Sequence, residues 1–172
     1  MFLNTVKTMA GYCNSLVRKY SPLGKKTGQL EDIYNYLPVN DKVSTSGQPT
    51  EEEFKLIKQA GFAYVINLAP HNAENSLKNE AGVLADLGLH YCHIPVNFFK
   101  PSLENFKEFK RALGEIGEAK VWVHCAANMR VSAFMYKYRT QCLNEKEAIA
   151  KERLHKIWVP IGVWKPFIDS AI

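Results

Sequence analysis

The chain reads as an α/β protein with a central, mostly parallel sheet flanked by helices, a three-layer sandwich. Three observations carry this reading. From residue 30 onward, short β-branched runs alternate with amphipathic helical stretches, the pattern that builds a parallel sheet with helices on its faces. The apolar fraction of 47%, with 23% charged residues, is that of a globular chain rather than a disordered one. No run of about 18 apolar residues occurs, which excludes an ordinary membrane-spanning helix. At 172 residues, one domain with a sizeable core is expected, without disulfides or a structural metal to staple it.

In residues 2–20, Phe2, Val6, Met9, Cys13, Leu16, Val17 and Tyr20 recur every three to four positions, which predicts a helix. Three readings of it are open: a helix packed on the body, a basic amphipathic helix drawn to anionic lipid, and an acid-poor transit segment. Ser21 to Gly28 holds Pro22, Gly24 and Gly28 and no apolar period, so it reads as a linker. The division is therefore 1–29 for a basic N-terminal segment and 30–172 for the body. Deleting residues 1–28 is expected to leave the body folded and its activity intact.

The body begins with a capping box at Thr50–Glu53, opening a helix that Gly61 ends. Ala63–Leu68 is a buried strand. Glu74–Leu87 reads as a helix with Leu77, Ala81, Leu84 and Ala85 on one face, stopped by Gly88. His90–Val96 is a second strand, interrupted at Pro95. Ser102 caps a helix through Leu103, Phe106, Phe109 and Leu113. Val121–His124 is a third strand, with a helix over Arg130–Gln141 behind it. Glu145–Trp158 is helical, and Pro166–Ile172 closes the chain. Ligands of such sheets bind beyond the carboxyl ends of the strands, so the loops after Leu68, Val96 and His124 should meet at one site.

Charge and cysteine usage narrow the function classes. Of 22 basic residues, five lie in residues 1–30, which carry no acid; the rest of the chain balances 17 basic against 17 acidic side chains. A neutral body argues against a nucleic-acid partner. The basic residues within 1–26 leave a weak membrane-surface contact open. Cys13, Cys92, Cys125 and Cys142 lie far apart with no C-x-x-C pair, which fits reduced thiols in the cytoplasm rather than a disulfide framework or a zinc site. Membrane association or organelle targeting through the N-terminal segment is the alternative location.

The chemistry concentrates in His124-Cys125-Ala126-Ala127-Asn128-Met129-Arg130-Val131-Ser132. A cysteine between a buried strand and a helix N-terminus sits among inward-pointing N–H groups and the positive end of the helix dipole, which together favour a thiolate and a bound oxyanion. Arg130 adds a planar fork for two oxygens of such an anion, and Ser132 a hydroxyl for the sulfur. His124 orients the loop. A lone cysteine would read as a buried packing thiol, the reading given to Cys13, Cys92 and Cys142. His93 reads as a structural hydrogen-bonding residue, and Trp122, Trp158 and Trp164 as core or rim aromatics.

On these residues the chain resembles the cysteine-dependent protein tyrosine and dual-specificity phosphatases, whose loop reads H-C-x5-R-[S/T]. Ser46-Gly47-Gln48-Pro49-Thr50, Val65–Leu68 and His93-Ile94-Pro95-Val96 extend the likeness over about residues 31–170, to small bacterial-type phosphatases. The resemblance implies a phosphatase-like sandwich that hydrolyses phosphorylated protein or small phosphoesters, with no metal or cofactor. It implies Cys125 as nucleophile and Arg130 as phosphoryl ligand, with Ser132 assisting the departure of the thiolate. Residues Cys125, Ala126, Ala127, Asn128, Met129 and Arg130 would form the phosphate-binding loop.

Two features depart from that pattern. Four residues, not five, separate Cys125 from Arg130, while Ser132 still falls seven after the cysteine. Either the turn keeps its frame, with Asn128 in the left-handed position usually held by Gly and Arg130 one place early, or the loop is one residue tighter. The usual Asp general acid is also missing: Asn97 and Phe98 occupy its place after the Ile94-Pro95-Val96 strand. His71, Glu74 and Glu104 are the candidate substitutes, and slow turnover that favours good leaving groups is expected. Two other classes stay open: a rhodanese-like sulfurtransferase, whose loop is shorter, and a phospho-ligand-binding pseudophosphatase. The uncharged loop residues Ala126, Ala127 and Met129 favour a simple aryl or protein phosphoester over an inositol polyphosphate.

Overall fold

The computed structural model describes residues 2–20 and 28–172; the segment expected to be a linker lies largely outside them. Helix α1 (Phe2–Tyr20) is followed by a single 3-10 turn (Leu30–Asp32), then β1 (Leu37–Pro38) and β2 (Val43–Ser46). Next come α2 (Glu51–Gln59), β3 (Tyr64–Asn67), α3 (Glu80–Asp86), β4 (His90–His93) and α4 (Leu103–Ile116). The chain ends with β5 (Val121–His124), α5 (Met129–Gln141), α6 (Glu147–Ile157) and α7 (Trp164–Asp169). The sheet order is β1-β2-β5-β3-β4; β1 runs antiparallel to β2 and the other pairs are parallel. The fold is therefore the mostly parallel α/β sandwich that the alternation predicts.

β5 occupies the middle of the sheet, and its period of two assigns one side chain set to each face. Val121, Val123 and Cys125 turn to the core packed by α4, α5, α6 and α7, where Phe106, Phe109, Phe134 and Trp164 gather. Trp122 turns to the opposite core with Phe54, Ile57, Val65 and Leu84. Its indole N–H donates to Ser46 Oγ at 2.9 Å, so burial leaves no unmet donor. Both faces of the strand are covered, which is why its sequence is apolar without alternation.

The capping box at Thr50 forms as expected, the Thr50 hydroxyl accepting from Glu53 N and the Glu53 carboxylate from Thr50 N at 2.8 Å. The helix expected over 74–87 is shorter. It starts at Glu80, with the Asn79 side chain accepting from Gly82 N. Residues 72–79 include Asn72, Asn75, Ser76 and Asn79, whose side chains compete with the backbone for hydrogen bonds. The hairpin strand β1 has no signature in the sequence, since two residues give no period. The strand expected over His90–Val96 is regular only to His93, while Ile94 N and Val96 N still donate to Asn67 O and Leu68 O at 2.9 and 3.2 Å.

α1 forms over the residues its periodicity marks, packed against α6. Its docking is polar. Thr8 Oγ1 donates to Ile157 O at 2.6 Å, Asn4 Nδ2 to His155 O at 3.0 Å, and Val159 N donates to Thr5 Oγ1 at 3.0 Å. The Tyr34 hydroxyl donates to Thr8 O at 2.5 Å. The helix comes this close because Gly11 has no side chain: a Cβ there would stand 2.7 Å from the Tyr34 ring. Among the described residues, no helix is long and apolar enough to cross a membrane.

Candidate active site

The loop leaving β5 closes on itself at the centre of the sheet's carboxyl edge. Its carbonyls are tied outward. Ala126 O accepts from Asn75 Nδ2 at 2.8 Å and from Gln48 N at 3.3 Å, and Ala127 O accepts from Asn35 Nδ2 at 3.0 Å. Met129 O accepts from Trp158 Nε1 at 3.0 Å. In a trans peptide the N–H points opposite to the preceding carbonyl, and no peptide here is cis among the described residues. The N–H groups of Ala127 and Arg130, which follow outward-tied carbonyls, are thereby turned into the loop, beside the N-terminus of α5. That arrangement can receive an oxyanion or hold a thiolate.

Asn128 makes the turn. Its φ of 62° and ψ of 2° are left-handed, the conformation foreseen for this position. Its amide group donates to Asn35 O at 2.7 Å and to Thr45 Oγ1 at 3.0 Å, locking the turn to β2 and to the loop before β1. Gly47 lies under the same loop. A Cβ at that position would meet the Tyr34 ring at 2.5 Å and Ala126 O at 3.1 Å, so no side chain fits.

Cys125 is buried at the floor of a cavity of about 520 Å³. Arg130 stands in the same cavity, with the walls supplied by Phe98, Met129, Trp158 and Trp164 and, from α1, by Thr5, Met9 and Tyr12. The Arg130 guanidinium carbon lies 5.3 Å from the centre of the Phe98 ring, and its buried Nε has no protein partner. Arg130 is the second residue of α5, one place before the position that keeps the usual frame, and it lines the same cavity as Cys125. Residues 1–28 thus supply one wall of this cavity, through Thr5, Met9 and Tyr12.

Ser132 is placed elsewhere. Its hydroxyl donates to Met129 O at 3.0 Å, and the residue faces the narrow space between β1, β2, α5 and α6. A hydroxyl has one proton, and this one is committed to the carbonyl. Asn97 is exposed, its side chain accepting from Phe99 N at 2.9 Å, and it does not line the cavity. His71 lies against His93 with ring centres 3.8 Å apart and planes tilted by 41°, and Glu104 lies exposed in the first turn of α4. Glu74 is exposed and pairs with the hydroxyl of Tyr12, a residue of the cavity wall, without itself lining the cavity. Burial, with the Glu74 charge adding to it, raises the Tyr12 phenol above its ordinary value, and Arg130 works against that rise.

Beneath the loop lies a buried polar cluster that sequence reasoning missed. His124 Nε2 is 3.2 Å from Glu80 Oε1, both side chains being buried. The Glu80 carboxylate also accepts from Gln48 Nε2 at 2.5 Å and from Asn67 Nδ2 at 2.8 Å. Burial opposes ionisation of Glu80, but the neighbouring His124 and the hydrogen bonds from Gln48 and Tyr91 outweigh it, and its pKa is lowered to about 2. Gln48 links this cluster to the loop through its own N–H on Ala126 O. The only signal in the sequence is a carboxylate four residues before the core Leu84, which reads equally as a first-turn acid.

Known proteins place the chain among phosphatases. Residues 17–158 match the family described as a DSP-PTPase phosphatase fused to NAD+ kinase. A solved DUF442 protein of Shewanella putrefaciens CN-32, whose name carries a provisional phosphatase label, is 30% identical; the match has a TM-score of 0.73 and covers 81% of this chain and 92% of that one. The core catalytic domain of the PP-IP phosphatase SIW14 from S. cerevisiae shares the fold at 15% identity, with a TM-score of 0.66 over 81% of this chain and 86% of its own. A beta-lactamase hydrolase-like protein of Xylella fastidiosa (strain Temecula1 / ATCC 700964) is 33% identical over 95 residues, 54% of this chain. The match spans only 22% of that relative's length. The outward-tied loop with Cys125 and Arg130 over one cavity is thus found in a chain that belongs to the DSP-PTPase phosphatase family named for its fusion to NAD+ kinase, a family of cysteine-based phosphatases.

Proposed function

We propose that the chain hydrolyses phosphate monoesters through a phosphocysteine on Cys125. The observation that carries this reading is the pairing of Cys125 with Arg130 in one cavity, above a loop whose carbonyls are held outward. Arg130 would hold two phosphoryl oxygens while the loop N–H groups take the third. The thiolate of Cys125 attacks phosphorus; the S–P bond forms as the P–O bond to the leaving group breaks, and the leaving oxygen takes a proton. Water then attacks phosphorus, releasing inorganic phosphate and restoring the thiolate.

Glu74, paired with the cavity-lining Tyr12, is our candidate source of the first proton in place of the missing Asp, a role that only its protonated form can serve. His124 acts as a positioning residue through Glu80 and Gln48, and Asn128 holds the turn. We assign no proton transfer to Ser132, because its hydroxyl serves Met129 O. The substrate class is a phosphorylated protein side chain or a small phosphoester, and we place the chain in the cytoplasm, where its four separate free thiols stay reduced.

Phosphate release from an activated aryl phosphate, measured beside thiocyanate formation from thiosulfate and cyanide, tests the assignment. Phosphate release without thiocyanate is expected. Thiocyanate without phosphate release would replace it with sulfur transfer. Phosphate binding with neither product would replace it with a binding module.

A further inference from the structure

The surface of α1 is reversed relative to an ordinary packed helix. Asn4, Thr5 and Thr8 spend their polar groups on the α6 end of the body, while Leu3, Val6 and Met9 point outward, 64%, 57% and 53% exposed. These three recur every third residue along one side of the helix. Phe99 and Ile161 are 82% and 62% exposed, and together with Met9 they line the cavity above Cys125. One apolar surface therefore runs from the outer side of α1 into the mouth of the site. Core packing accounts for none of it, and apolar surface gathered at one place marks an interaction site.

Charge identifies the occupant. Residues 1–30 carry five basic and no acidic side chains, and Lys7 is exposed on α1 itself. An apolar helix side in a basic segment suits an anionic bilayer surface, whereas a second copy of the chain would bring like charges together. The cavity agrees: among the described residues that line it, Arg130 is the one basic side chain, enough for one phosphate, and most of the remaining wall is aromatic or aliphatic.

We propose that the outer side of α1, with Phe99 and Ile161, docks on an anionic lipid surface, and that the cavity takes a phosphate monoester carried on an apolar chain. The second half rests on the phosphatase reading above; the docking half does not.

The test uses the full chain and a Leu3→Glu/Val6→Glu double variant, which alters neither the polar anchors of α1 nor a cavity-lining residue. Circular dichroism and Tm establish that both are folded. Wild type is expected to sediment with phosphatidylglycerol-containing vesicles about tenfold more than with pure phosphatidylcholine vesicles, an effect that salt weakens, and the variant to lose this binding. Turnover of a soluble aryl phosphate should be unchanged in the variant, while hydrolysis of dodecyl phosphate held in the anionic vesicles should fall about tenfold. Wild type that ignores the vesicles, or a variant that binds them equally, overturns the docking. So does a wild-type dimer in light scattering that the variant splits, since the apolar side would then be a self-interface. Vesicle binding with no phosphate release from either substrate overturns the substrate half together with the phosphatase reading and leaves the docking standing.

Discussion

Asn128 shows how much a single residue carries in this loop. It supplies a left-handed turn and two hydrogen bonds to separate elements. Asn128→Ala should destabilise the fold by ~2–4 kcal/mol, losing both bonds and straining the turn, while Asn128→Gly should cost about half as much because φ is free. Denaturant melts of the two variants separate the contributions. Arg130→Lys should lower kcat/KM about 10²-fold on an aryl phosphate, because a point charge replaces the planar fork. The left-handed turn at Asn128 was legible in the sequence as one of two readings of the loop. The engagement of Ser132 was not, since a hydroxyl three residues after Met129 can bond back to the helix or forward to sulfur and spacing does not choose. Asn35 and Asn75, which hold the loop carbonyls, lie 92 and 51 residues away from their partners, so no local pattern announces them.

At the scale of elements, the strands and helices that bury a periodic apolar face were legible: α2, β3, α4 and β5 lie where their spacing puts them, and α1 forms where its period marks it but turns that apolar side outward. The missing first turns of the helix expected at Glu74 have a functional reason. Asn75 leaves the helix to hold Ala126 O and the Ser15 hydroxyl, so the segment serves the loop and α1 instead of extending α3. Gly11→Val tests the docking of α1, since its Cβ would meet a Tyr34 ring that is itself pinned against Gly47 and hydrogen-bonded to Thr8 O. A loss of ~1–3 kcal/mol in stability is expected, together with altered KM as the α1 wall shifts. Deletion of residues 1–28 should leave a cooperative melt at lower temperature, because the sheet and both its cores lie outside that segment. It should also change KM, because Thr5, Met9 and Tyr12 leave the cavity.

Across the whole molecule, the sheet order sets β5 between β2 and β3, so the loops after three neighbouring strands reach Cys125. The polar cluster of Glu80, His124, Gln48 and Asn67 ties those strands together from below. Its pH dependence follows from the lowered pKa of Glu80. A carboxyl with a folded pKa of about 2 and an ordinary value of 4.5 stabilises the fold fully above 4.5 and loses that contribution as pH falls toward 2. Glu80→Gln should thus lower stability by about 3 kcal/mol at neutral pH, with the gap to wild type closing below 4.5. Melts of both proteins at neutral and acidic pH measure it. The central claim concerns Cys125, and turnover of an activated aryl phosphate by wild type and Cys125→Ser, from about pH 5 to 8, tests it most directly. Phosphate release by wild type and none by the folded variant is the predicted result. Equal release by the two proteins would contradict it.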